Sequence, residues 1–500
     1  MAGHWNSAEY KQLKEEFVSG HNGTTVEEIA LVVTSAPLCI LLRFLICIWL
    51  FGHLARISTW WSFAIDFCTQ MLPLLFCFTI FGYNVEEAIG TLALVVMGLL
   101  LALHLTKEIN DTKYGKGLTE TPLAEIPMAG KRPFITHFRA YVLIAAAISV
   151  LAVDFHVWPR KFCKAETFGT GLMDVGVGSF VVSNGMVSTE ARGNIPIPRQ
   201  RGILGRISSQ LTVVGRTIFA CVPLIALGVG RLLTVKGVEY QEHVSEYGVH
   251  WNFFFTLAIV RIFASITFCI VPTCLSWLVA MVVAVGYQYF LQQTDLKSFV
   301  LHGSDGQGSR EGFLNANREG IFSCLGYLAV YFASVQIGKY LFKPRTKLKD
   351  WVTCMFVLLV LDGIFWLLLR QVELHVEPVS RRMANLPFVL WMMVYNLQIL
   401  ALFLLADIIQ VLLIERGWVP GKPVNGHKVV PIKKFCLLEA INRNGLFCFL
   451  FMNLSTGIIN MSFKTLFMSS TQSMAINILH LFVVSLAVAI LHVKDITLRL

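Results

Sequence analysis

"IALVVTSAPLCILLRFLICIWLF" (residues 29–51) holds one charged residue, Arg43, in an otherwise apolar run. About 20 predominantly apolar residues are needed to carry an α-helix across a bilayer, so the run reads as a membrane span. The rest of the chain agrees. Of its 500 residues, 55% are of the AVILMFWYC set and 14% are charged, against roughly a quarter charged in ordinary soluble domains. Thirteen candidate spans centre near residues 40, 72, 96, 146, 179, 224, 262, 282, 328, 360, 400, 453 and 482. The one over 170–188 is rich in glycine and contains Asp174, and those at 262 and 282 stand close together. The expected fold is all-α, a polytopic integral membrane protein of about 13 transmembrane helices. It forms a single multi-pass domain over 1–500, with 1–28 a lumenal N-terminal segment. "MAGHWNSAEYKQLKEEF" before the first span lacks an apolar h-region, so that span is expected to be a retained anchor.

Orientation follows from where Lys and Arg fall between spans. The loops 52–62, 106–139, 189–216, 273–276, 338–350 and 414–443, with the tail 493–500, hold 25 of the 41 Lys+Arg; the opposite side holds 14, and Arg43 and Arg261 lie within spans. The first side is expected to be cytosolic, which puts the N-terminus in the lumen and the C-terminus in the cytosol. The formal net charge of +10 is then an inside-positive bias spread over many loops, and nucleic acid is not an expected partner. Among the sequons, Asn22 in "NGT" falls on the lumenal side, Asn110 in "NDT" in the cytosol, and Asn453 and Asn460 in or beside the twelfth span; an N-x-[ST] match is a hypothesis only. The 12 Cys include no C-x-x-C pair and no Cys/His cluster at zinc spacing, so neither a disulfide scaffold nor a metal site is expected.

With that orientation, "AVDFHVWPRKFCKAETFGTGLMDVGVGSF" (152–180) places Arg160, Lys161 and Lys164 on the side where cations are sparse. Three other loops of that face are similarly polar: "GVEYQEHVSEYGVHWNFF" (237–254), "HGSDGQGSREGFLNANREG" (302–320) and "VEPVSRRMANLPF" (376–388). Charges at a membrane boundary are costly unless paired or functional. Four such loops on one face point to a lumenal site for a polar, anionic substrate head.

These loops closely resemble the glycosylphosphatidylinositol (GPI) inositol acyltransferases of the PIG-W type. The resemblance runs from "FVSGHNGTTVEEI" (17–29) to the twelfth span and is weakest in 106–136 and 414–434. It implies a multi-pass enzyme of the endoplasmic reticulum. The implied reaction moves a fatty acyl group, palmitoyl by expectation, from acyl-CoA to the inositol 2-hydroxyl of glucosaminyl-phosphatidylinositol. It also implies roles for two residues of this chain, ten positions apart: Asp154 of "VDF" in holding the lipid precursor, and Lys164 of "PRKFCKAE" in catalysis.

Elementary chemistry accommodates both roles. An inositol hydroxyl is a poor nucleophile, so acyl transfer needs a base at the hydroxyl or charge at the thioester oxygen. Lys164 can serve as a neutral base, if Arg160, Lys161 and desolvation depress its pKa, or as a charged oxyanion partner. The plainer reading is a snorkelling interface lysine. Asp154 can accept from inositol hydroxyls or the glucosamine ammonium; the plainer reading pairs it with Arg160. His243 and His250 are candidate bases or ordinary structural histidines. Arg381 and Arg382 suit a phosphate, or anchor a span boundary. Asp305, Asn317 and Arg318 belong to a glycine loop that lacks G-K-[ST] and a preceding strand, so it is expected to be a tight turn over the head group. Cys163 offers a thiolate alternative. No cofactor is expected beyond acyl-CoA as co-substrate. The runner-up class, a polytopic lipid transporter or flippase, predicts ionisable residues through the membrane depth and related halves, whereas the polar groups here gather at one face.

Overall fold

The computed structural model describes residues 7–51, 58–114, 126, 128, 132–193, 203–237, 244–416 and 435–498. His243 and most of the loop 414–434 lie outside them. The described residues are helical, with only isolated backbone bridges from Gly23 and Thr24 to Thr170 and no strand.

Among the described residues, twelve helices are long and apolar enough to cross a membrane: Val26–Leu50, Thr59–Phe78, Val85–Thr106, Pro133–Ala152, Ser208–Leu233, Phe253–Ile270, Thr273–Gln293, Arg318–Leu341, Leu348–His375, Leu386–Glu415, Gly445–Ser462 and Ser470–Val493. Each coincides with an expected span. The thirteenth differs: residues around 179 form the helix Asp174–Met186, only 13 residues long. At 1.5 Å per residue that is about 20 Å, short of the roughly 30 Å of hydrocarbon. Asp174 therefore opens a short helix, in its first turn, instead of interrupting a span. This helix is covered by protein, because Gly178 meets Met392 and Gly185 meets Ser334 and the Tyr331 carbonyl. Small residues let helices approach this closely within a membrane.

By contact density the chain forms two compact units. The first comprises 1–25, 161–343 and 362–396. Within it Arg318–Leu341 packs against Ser276–Gln293, Phe253–Ile270 and Asp174–Met186, and Tyr327 sets its ring edge-on to Phe388 at 5.8 Å. The second comprises 26–160, 344–361 and 397–500. There Pro133–Ala152 packs against Leu437–Arg443 and Gly445–Ser462. Two of its buried span carboxylates are held by donors. Arg43 donates to the fully buried Asp66 at 2.7 Å, whose other oxygen caps the Leu437 amide at 2.8 Å. Asp407 likewise accepts from the Phe134 amide at 2.8 Å, capping Pro133–Ala152. A carboxylate at a helix N-terminus satisfies amides that lipid cannot.

Candidate functional site

The loop bearing Lys164 is lashed down by its backbone. Glu166 N–H donates to the His21 carbonyl at 2.9 Å, Gly169 N–H to the Val379 carbonyl at 2.8 Å, and Thr24 N–H to the Thr170 carbonyl at 2.6 Å. Gly169 sits at φ +127°, where a side chain would also run into the Asn22 carbonyl. Glycine is what that close approach requires. Asn22 itself, the sequon residue, is exposed.

From this loop Lys164 reaches Glu246 at 2.7 Å. Glu246 comes from the short helix Val244–Tyr247, and its second oxygen faces Arg381 Nη1 at 3.4 Å. Arg381 Nε donates to Asp174 Oδ1 at 2.6 Å. Asp174 Oδ2 in turn accepts from the backbone amides of Ala165 at 3.0 Å and Gly171 at 2.8 Å. The circuit closes on itself, because Ala165 is the residue after Lys164. Side-chain exposure runs from 36% at Lys164 through 15% at Glu246 and 5% at Arg381 to 0% at Asp174. One cation is presented; the others hold it. Burial works against a charged Glu246, yet Lys164 and then Arg381 bring its pKa down to about 2. Burial likewise opposes the Arg381 charge, and Glu246 and Asp174 outweigh it, raising its pKa.

The other expected site residues fall in several places. Asp154, 5% exposed, accepts from Asn460 Nδ2 at 2.7 Å in the second unit. Arg160 donates to the carbonyls of Val153, Phe155 and Trp158, so its guanidinium ties the helix end. Lys161 lies 5.5 Å from the Phe162 ring centre. Cys163 is buried, at 1% exposure. Arg381, expected at a phosphate, spends Nε and Nη1 on carboxylates instead. Arg382 faces Glu319, with Nη2 2.8 Å from Oε1. Arg318 is 1% exposed and donates to the carbonyls of Val300, Ser309 and Asn315. Asn317 accepts from the His250 amide at 2.7 Å, so His250 is joined to it through main chain. Asp305 is exposed and takes the amides of Gln307 and Ser309, each at 3.0 Å, which hold its carboxyl below the ordinary value. The glycine loop thus folds its own donors onto its own aspartate.

Sequence reasoning overlooked three glutamates. Glu246, Glu319 and Glu377 stand in the polar loops or beside them, and each is the partner of a cation: Lys164, Arg310 and Lys297 respectively. The signal available was an acid in each of these basic loops. Among the described residues no group of three or more His, Cys, Asp or Glu could hold a metal ion.

Fold and site together define a class: a multi-pass helical membrane protein in which a buried ion-pair circuit presents a single lysine. The GWT1 family model matches residues 10–491. Glucosaminyl-phosphatidylinositol-acyltransferase PIGW of Bos taurus is 38% identical over 511 aligned residues, covering 98% of this chain and 99% of that protein. The Homo sapiens protein of the same name is 37% identical with the same coverage. GPI-anchored wall transfer protein 1 of Saccharomyces cerevisiae is 34% identical, again over 98% and 99%. The chain belongs to the GWT1 family.

Proposed function

We propose that this protein transfers a fatty acyl group, palmitoyl by expectation, from acyl-CoA to the inositol 2-hydroxyl of glucosaminyl-phosphatidylinositol, in GPI-anchor biosynthesis. It acts in the endoplasmic reticulum membrane, with its active face, N-terminus and Asn22 in the lumen and its C-terminus in the cytosol. It needs no metal or redox cofactor. The observation that carries the reading is the half-buried Lys164 at the more open end of an otherwise buried circuit, together with relatives named for this acyl transfer.

Ion-paired to Glu246 at 2.7 Å, Lys164 meets the thioester as an ammonium, which favours the oxyanion role over the neutral base. The inositol oxygen bonds to the thioester carbon, the carbonyl oxygen takes up negative charge beside the ammonium, the C–S bond breaks, and the hydroxyl proton ends on the CoA thiol. A preorganised cation in a partly desolvated site stabilises that developing charge. Asp154 holds the lipid precursor, with Asn460 orienting its carboxylate.

The test is microsomal acylation of glucosaminyl-phosphatidylinositol with labelled acyl-CoA. Wild-type protein is expected to yield the inositol-acylated lipid and Lys164→Ala almost none. Equal yields from the two would remove Lys164 from the chemistry.

A further inference from the structure

Arg381 and Arg382 are consecutive in one turn, yet they serve two charge clusters. Arg381 belongs to the Lys164 circuit. Arg382 belongs to a cluster around Glu319, whose side chain is fully buried. Arg310 grips Glu319 as a fork, Nη1 to Oε2 at 2.6 Å and Nη2 to Oε1 at 2.8 Å. Arg382 Nη2 adds 2.8 Å, and Arg318 Nε lies 3.7 Å away. Three guanidiniums therefore share one buried carboxylate, a formal excess of two positive charges. Asp305, the further acid that acts on Arg318, sits on the exposed loop with its carboxylate turned to the Gln307 and Ser309 amides.

Arg382 is also incompletely bonded. Nη2 donates to Glu319 and to the Leu301 carbonyl at 3.2 Å. Its Nε has no hydrogen-bond partner among the described residues, although the side chain is only 10% exposed. An unpaired donor and uncompensated charge in a dry place are both costly, and an anion relieves both. Arg310, at 24% exposure, marks the open side.

We infer that Arg382, through its unspent Nε and with Arg310 and Arg318 as positive charge around it, seats the phosphodiester of the inositol phospholipid acceptor. This rests on the acyltransfer reading above. In that lipid the phosphate is carried on the ring carbon adjacent to the one bearing the 2-hydroxyl. A site that presents the hydroxyl to Lys164 must meet the phosphate close by, and the Arg381–Arg382 turn joins the lysine circuit to the arginine cluster in consecutive residues. Acyl-CoA also carries phosphates, but a long pantetheine arm separates them from the thioester. A guanidinium keeps its charge and its directed N–H donors at such a site.

The experiment varies lipid and acyl-CoA separately with wild type, Arg382→Gln and Arg382→Lys. Glu319 keeps the Arg310 fork in both variants. Losing a charge-assisted hydrogen bond is expected to raise KM for the lipid about 10- to 100-fold in Arg382→Gln, with KM for acyl-CoA near wild type and partial recovery in Arg382→Lys. An unchanged lipid KM, or a rise confined to acyl-CoA, overturns the inference. A second measurement needs neither turnover nor a variant: displacement of labelled glucosaminyl-phosphatidylinositol from wild-type protein. Inositol 1-phosphate is expected to displace it and inositol not; equal effects of the two, or none, sink the phosphate site. Failure of acylation alone, with displacement intact, strikes the acyltransfer reading and leaves the anion site standing.

Discussion

A lysine at a membrane boundary is ordinarily an anchor whose ammonium snorkels to water. Lys164 differs because a carboxylate buried by a distant loop holds it, 82 residues along the chain. Two predictions belong at this scale. Lys164→Ala is expected to fold and to bind lipid while turnover falls roughly 100- to 10,000-fold; Lys161→Ala and Cys163→Ala keep most activity in the same steady-state assay. Glu246→Gln keeps the shape but not the charge, so its turnover falls while lipid affinity holds. The second concerns pH. Glu246 has a folded pKa of about 2 against an ordinary 4.5, so the stability it contributes is fully present above about 4.5 and is lost as pH falls from there toward 2. The gap in thermal stability between wild type and Glu246→Gln is therefore expected to stay constant from pH 5 to 8 and to close below 4.5. A gap that opened on acidification would contradict the ion pair.

At the scale of elements, the turn after Glu377 bears unusual strain. Ala384 adopts φ 48°, a conformation that costs a residue with a side chain roughly 1–3 kcal/mol. The turn is braced by the Asn385 side chain, which accepts from the Ser380 amide at 3.0 Å and donates to Glu377 at 2.8 Å. It is also pressed against the helix Arg318–Leu341, where a side chain on Gly326 would strike the Ala384 carbonyl. Gly326→Ala is thus expected to cost about 1–3 kcal/mol by overpacking and to lower activity by moving Arg381 and Arg382. Gly363→Ala, at a span position with open space around it, is the matched control and should be tolerated. Equal melting temperatures for the two variants would show that the turn does not depend on that contact.

For the whole molecule, sidedness depends on the short helix Asp174–Met186. Twelve full-length spans alone would leave both termini on one side; opposite termini require the segment around this helix to cross too, its irregular flanks shielded by protein. A protease site placed in 302–312 is expected to be cut only in opened microsomes, and one in 340–348 in sealed ones. The reverse pattern would overturn the lumenal face. Acylation is further expected to survive chelation, and loss restored by a specific ion would refute metal independence. The sequence by itself determined where twelve spans lie, because apolarity over 20 residues is a local property that no neighbour needs to complete. It also marked the basic loops, since charge at a boundary stands out from its own flanks, whereas Lys164 and Asp154 were marked by the resemblance of their motifs to the family. Only the tertiary structure decided the length of the element at 174–186, because burial against Met392, Ser334 and Tyr331 lets a 13-residue helix stand among spans. It alone decided that Arg381 ties Asp174 to Glu246 while Arg382 turns to Glu319. Pairing energies depend on distance through space, and four loops far apart in sequence must be folded before any acid has a particular cation to hold.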